Sequence, residues 1–105
     1  MTAGDYSIGS GKLPGLAKLA EECGEVIQVI GKIIAADGAV AHWDGSNLMT
    51  RLEDEIADVL AAMKFFSTAN SVDIQRMDYR TLEKLALFQR WHQEARDGSL
   101  SRDGH

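Results

Sequence analysis

Pro14 is the only proline in a chain of 105 residues, so almost nothing interrupts a helix once it has begun. No stretch alternates apolar and polar residues over the length of a strand. Three stretches instead repeat apolar residues at i, i+3, i+4 and i+7, the signature of an amphipathic helix. The chain therefore reads as all-α. The first helix is expected over Leu13 to Ala36, with Pro14 in its first turn, where a missing N–H costs little. Its apolar set is Leu16, Leu19, Ala20, Cys23, Val26, Ile27, Ile30, Ile33 and Ile34. Val29 widens that stripe beyond what one packing partner needs.

A loop is expected from Asp37 to Asn47, with Gly38, Gly45 and the tip His42-Trp43-Asp44. Ser46 or Asn47 is positioned to cap a second helix, about Leu48 to Ala69. Its expected core side carries Leu52, Ile56, Val59, Leu60, Met63 and Phe66. Asn70-Ser71 breaks the pattern, and a third helix follows from about Ile74 to Arg96, with a possible new segment at Asp78 and a stop at Gly98. Its apolar residues are Leu82, Leu85, Leu87, Phe88 and Trp91. Gly24 and Gly31, seven apart inside the first helix, are expected to mark a close helix approach.

A chain of this length suits one domain. The expected organisation is a flexible N-terminus over 1–11, an all-α domain over 12–97 and a flexible tail over 98–105. Lys and Arg number 11 against 16 Asp and Glu, a formal net charge of −5, which argues against gripping a nucleic-acid polymer. The single cysteine, Cys23, excludes an intrachain disulfide and fits a reducing compartment; it falls on the apolar stripe and is expected in the core. No apolar run approaches the ~20 residues of a membrane span, and the polar, glycine-rich start is not a signal peptide. A cytoplasmic protein without membrane contact is the expectation.

Seven of the 16 acids lie in two short clusters, Glu21-Glu22-x-x-Glu25 and Glu53-Asp54-Glu55-x-x-Asp58. Each falls within a predicted helix. Residues i and i+3 project ~60° apart, so Glu22 and Glu25 share one side, as do Glu55 and Asp58. If the two apolar stripes pack antiparallel, four carboxylates converge at the edge of the contact. Such a group repels itself and loses hydration, and a hard divalent cation relieves both costs. Oxygen-only ligation suits Mg²⁺ or Mn²⁺ and not zinc. A di-iron carboxylate bundle needs Glu-x-x-His on two helices, and no histidine stands in that position. The competing reading of each acidic cluster is a solvated helix face.

The stretch Leu16-Ala17-Lys18-Leu19-Ala20-Glu21-Glu22-Cys23-Gly24-Glu25-Val26 resembles the EExxE helix of MazG-like nucleoside triphosphate pyrophosphohydrolases. Glu53-Asp54-Glu55-Ile56-Ala57-Asp58-Val59-Leu60 resembles their ExxD helix. The resemblance runs from about Leu16 to Trp91. It implies an all-α bundle whose core helices assemble through an oligomer interface, as homodimer or homotetramer. It also implies Mg²⁺-dependent cleavage of (d)NTP between the α and β phosphates to a monophosphate and pyrophosphate, with Mn²⁺ as a substitute. Carried over, Glu22, Glu25, Glu55 and Asp58 are the metal ligands. Glu21 orients or deprotonates the attacking water, or touches a further metal.

Family members usually place lysine, arginine and often asparagine near the phosphates in their last helices. Here the available cations are Lys84 and Arg90, with Lys32 and Lys64 on the first two helices, and no Lys/Asn motif singles one out. At the loop tip, Trp43 is a candidate to stack on the base, with Asp44 or Asn47 reading its edge; simple packing of Trp43 under the loop is the alternative. His42 reads as a surface residue and His92 as a neighbour of Trp91. A carboxylate such as Asp44 accepts from N1–H and N2–H of guanine, which leans the substrate toward a deoxynucleotide purine such as dGTP. The alternatives are a phosphoribosyl-ATP pyrophosphatase, which shares the acidic motif, and a non-enzymatic acidic helical module that binds a basic partner without metal.

Overall fold

The computed structural model describes residues 6–9, 11–41 and 47–98. They form three helices, α1 (Leu16–Ala35), α2 (Leu48–Ala69) and α3 (Ile74–Gly98), and no strand beyond an isolated Ala41–Asn47 bridge. The all-α expectation holds. The chain divides into two compact units between Ser71 and Val72, so α1 and α2 belong to one and α3 to the other.

In the first unit α1 and α2 pack together. α1 starts later than expected. Pro14 lies before the helix, and Gly15 occupies the N-cap in a left-handed conformation, φ 91°. Glycine reaches that region without a Cβ penalty. The Gly15 N–H donates to the Ile8 carbonyl at 2.7 Å, tying the preceding turn to the helix start. The Asn70 side-chain amide donates to the Pro14 carbonyl at 2.9 Å and to the Phe66 carbonyl at 2.8 Å. Asn70 is the C-cap of α2, so the start of α1 meets the end of α2 and the pair is antiparallel.

The far end of α1 closes in a Schellman motif. Gly38 N–H bonds the Ile33 carbonyl and Asp37 N–H bonds the Ile34 carbonyl, both at 2.9 Å. Asp37 and Gly38 both take positive φ there, 56° and 85°. Asn47 caps α2: its side-chain oxygen accepts from Met49 N–H at 2.8 Å and Thr50 N–H at 3.1 Å. The observed span of α2 matches the expected one.

Which sides of α1 and α2 are packed differs from expectation. Val29, expected only to broaden the stripe, is fully buried, whereas Ile27 is 67% and Ile34 71% exposed. Leu16, Ile30 and Cys23 are exposed as well. The packed side of α1 is Leu19, Glu22, Val26, Val29 and Ile33. On α2 it is Leu52, Glu55, Val59, Ala62 and Phe66, while Ile56, Leu60 and Met63 face outward. A stripe too broad for one neighbour leaves the choice of side to the partner helix. The close approach expected at Gly24 and Gly31 does not occur among the described residues: a Cβ on either would meet nothing there within 4 Å.

In the second unit α3 is capped by Asp73, whose carboxylate accepts from Arg76 N–H at 2.9 Å. The helix continues unbroken through Asp78, so no new segment starts there. None of its residues is buried, and its apolar residues Leu82, Leu85, Phe88 and Trp91 are exposed.

Candidate active site

The α1–α2 pairing sets Glu22 of the first motif within electrostatic reach of Asp58 and Glu55 of the second. Glu22 and Glu55 lie on the packed sides of their helices, half-buried beside the apolar residues. Glu25 is half-buried one turn on, and Asp58 is exposed one turn beyond Glu55. Glu22 is the focus. Its carboxyl titrates above the ordinary glutamate range, first because burial strips its hydration, then through repulsion from Asp58, with smaller contributions from Glu21 and Glu55. Lys18, one turn earlier, opposes the shift. Repulsion of this kind requires Glu22, Asp58 and Glu55 to be neighbours across the two helices.

Glu21 is held differently. Its carboxylate accepts from Lys18 Nζ at 2.7 Å. That bond and a second from the Ser7 side chain hold it below the ordinary range, and the same bond holds Lys18 above its own.

Beside these acids is a cavity of about 280 Å³. It is lined by the charged side chains of Lys18, Glu22 and Asp58 and by the apolar Ile8, Ala61, Ala62 and Phe65. Asp58, Ala61, Ala62 and Phe65 are spaced i, i+3, i+4 and i+7, one face of α2. Phe65 is fixed from behind: a methyl group on Gly15 would stand 2.8 Å from its Cδ2 and 3.0 Å from its Cε2. Neither Lys18 nor Phe65 is singled out by the sequence reading. The signals were present, Lys18 four residues before Glu22 and Phe65 seven after Asp58. Ile8 carries no such signal, since only the turn before α1 delivers it.

The other expected site residues are dispersed. Lys32 is exposed in the last turn of α1, where the helix dipole favours a cation. Lys64 is exposed on α2 and does not line the cavity. In the second unit, Lys84 sits 5.6 Å over the Phe88 ring, and Arg90 pairs with Glu94 at 3.8 Å. Phe88 in turn leans on Trp91, ring centroids 5.8 Å apart. Asn47 has its side-chain oxygen engaged in the α2 cap, which leaves only its amide nitrogen for a ligand. Trp43 and Asp44, with His42, Gly45 and Ser46, lie outside the described residues.

A family model for the MazG nucleotide pyrophosphohydrolase domain matches residues 13–90, about three-quarters of the chain. The chain belongs to the MazG nucleotide pyrophosphohydrolase family. No curated protein and no solved structure matches it. Both acidic motifs and the whole α1–α2 pair fall inside the matched MazG region. MazG domains are generally dependent on a divalent metal. Among the described residues, no three acidic, histidine or cysteine side chains are gathered closely enough to grip an ion as they stand. The donor chemistry nonetheless fits a hard cation: every candidate ligand is a carboxylate oxygen, and Glu22 carries an electrostatic burden that a cation would remove.

Proposed function

We propose that this MazG domain is a Mg²⁺-dependent nucleoside triphosphate pyrophosphohydrolase, cleaving (d)NTP between the α and β phosphates to (d)NMP and pyrophosphate. The observation that carries the reading is Glu22, half-buried and set against Asp58 and Glu55 across the α1–α2 pair. Glu22, Glu25, Glu55 and Asp58 supply the oxygen ligands. Held by them, Mg²⁺ or Mn²⁺ would supply neutralisation of phosphate charge and a lowered pKa for a water. Glu21, kept ionised by Lys18 and Ser7, is a weak proton acceptor, so its surroundings favour orienting the attacking water over deprotonating it. Lys18 adds a cation in the cavity lining for the triphosphate, ahead of Lys32, Lys64, Lys84 and Arg90. The lean to deoxypurine substrates such as dGTP stays with Asp44.

We further propose that the active form is a homo-oligomer. Among the described residues only Val29, Leu48 and Ala62 are buried apolar side chains. A second apolar groove of about 290 Å³, lined by Cys23, Val26, Ile27, Ile56, Val59 and Leu60, is left open on the same helix pair. A cytoplasmic setting, with its lone thiol Cys23 reduced, completes the reading.

A panel of common NTPs and dNTPs with Mg²⁺ or Mn²⁺, read as pyrophosphate release, tests the activity. Pyrophosphate and a monophosphate are the expected products, with turnover lost in EDTA. Orthophosphate as the only primary product, or full turnover in EDTA, overturns it. Turnover confined to phosphoribosyl-ATP would reassign the substrate.

A further inference from the structure

We infer that the apolar lining of the cavity beside Glu22 and Asp58 receives the nucleobase, with Phe65 as its stacking wall and Gly15 as the residue that holds Phe65 in place. The inference rests on the pyrophosphohydrolase reading and assigns the stacking contact with the base to Phe65 of α2 in place of Trp43. Asp58 and Phe65 are seven residues apart on one helix face, an axial separation of ~10 Å. That is about the reach of a nucleoside monophosphate from its phosphate to its base. A substrate whose phosphates lie over the acids therefore carries its base to Phe65.

The α2 lining follows that axis, from Asp58 through Ala61 and Ala62 to Phe65. Charge is confined to Lys18, Glu22 and Asp58. Ile8, Ala61, Ala62 and Phe65 offer no side-chain donor or acceptor, and the alanines leave room where larger residues would fill the space. The Phe65 ring is 44% exposed although one edge is pressed against Gly15. A large aromatic with one edge against backbone and its remainder open to a cavity loses little freedom when a flat ring stacks on it. Walls of this kind select by stacking and size, not by reading base edges, so every base gains from Phe65 to a similar degree.

The test uses Phe65→Ala, Phe65→Tyr and Ala61→Leu in the full chain. Phe65→Ala is expected to raise KM about tenfold for each accepted nucleotide, with kcat little changed, on the scale of one lost stacking contact. Phe65→Tyr keeps the ring and should keep KM. Ala61→Leu, on an exposed position, fills the cavity without removing a packed ring and should raise KM similarly. Calorimetric titration of dGMP, dTMP and deoxyribose 5-phosphate measures the base contribution without turnover. The two nucleotides should bind wild type more tightly than the sugar phosphate, and Phe65→Ala should erase the difference. A wild type that releases no pyrophosphate, yet shows this Phe65-dependent preference, would refute the activity and leave the base pocket standing. Turnover with KM and dNMP binding unchanged in both Phe65→Ala and Ala61→Leu overturns the pocket, as does a Phe65→Ala effect confined to oligomeric state.

Discussion

The α1–α2 pair and α3 are built from the same kind of sequence and reach different ends. All three helices are long and amphipathic, and each has a recognisable start. Asn47 caps α2 and Asp73 caps α3 through the same side-chain-to-backbone bond. Yet α1 and α2 bury Val29, Leu48 and Ala62, while α3 buries nothing. Hydrophobic periodicity makes a helix able to pack, and within the first unit the pairing of α1 with α2 uses it. The contrast extends to charge. On the packed pair, burial and neighbouring acids make Glu22 unusual, whereas the α3 cations settle into local contacts with Phe88 and Glu94. Chemistry that depends on a strained charge belongs to the region where two helices meet.

The largest effect that would test this contrast is on turnover. Asp58→Asn should lower kcat on the order of 10²–10³-fold, the scale of losing one preorganised charge at a reacting centre. Circular dichroism should show unchanged helicity. Arg90→Gln on α3 should cost far less, and equal losses would erase the distinction between the regions.

Next in size is the glycine that lets α1 begin against α2. Gly15→Ala puts a methyl group 2.8 Å from Phe65 at a φ of 91°, so a loss of about 2–4 kcal/mol is expected in chemical denaturation. Gly24→Ala meets open space among the described residues and should stabilise by roughly 0.5–1 kcal/mol through helix propensity. If Gly24→Ala instead destabilises and disperses the oligomer in light scattering, that face of α1 is covered by a second copy.

Matched cap deletions compare the two units directly. Asn47→Ala should cost about 1 kcal/mol of global stability. Asp73→Ala removes an equivalent bond, and its ~1 kcal/mol appears in the global transition only if α3 unfolds together with the pair. A separate early transition for Asp73→Ala would make α3 an independent unit in solution.

The smallest effect is the pH dependence of Glu22. Its folded carboxyl lies above the ordinary glutamate value of 4.5, so the native state holds that proton more tightly than the unfolded chain. The resulting stability is fully present below 4.5 and is lost as pH rises through the raised folded value. At neutral pH without metal, Glu22→Gln should therefore melt at a higher temperature than wild type, and the gap should close as pH falls past 4.5. Addition of Mn²⁺ should raise the melting temperature of wild type more than that of Glu22→Gln. Coincident melts under all these conditions would show that the carboxylate is merely solvated.

Much of the fold was legible in the residues. The expected bounds of α2 agree with those observed, because a capping asparagine begins it and Asn70-Ser71 ends it. The acidic motifs were legible too, since their i,i+3 spacing places each pair on one side of a helix wherever the helix goes. Less legible was the start of α1. Pro14 reads as a first-turn residue, but the left-handed Gly15 behind it moves the beginning from Leu13 to Leu16, where the chain must clear Phe65. The expected core of α1 was displaced toward Val29 for a related reason: a stripe containing Val26, Ile27, Val29, Ile30, Ile33 and Ile34 offers several nearly equal sides.

What the sequence determined by itself is local: three helices, two of their capped ends, and acidic pairs at helical spacing, all set by interactions within a few residues. The tertiary structure decided the rest. It chose Val29 over Ile27 as the buried side chain, moved Glu22 and Glu55 from the margin of the contact into its half-buried seam, and brought Ile8 and Lys18 to the same cavity as Phe65. Each depends on the rotation and register of one helix against another. Those are settled by the summed packing of many side chains, for which no single residue or spacing carries a signal.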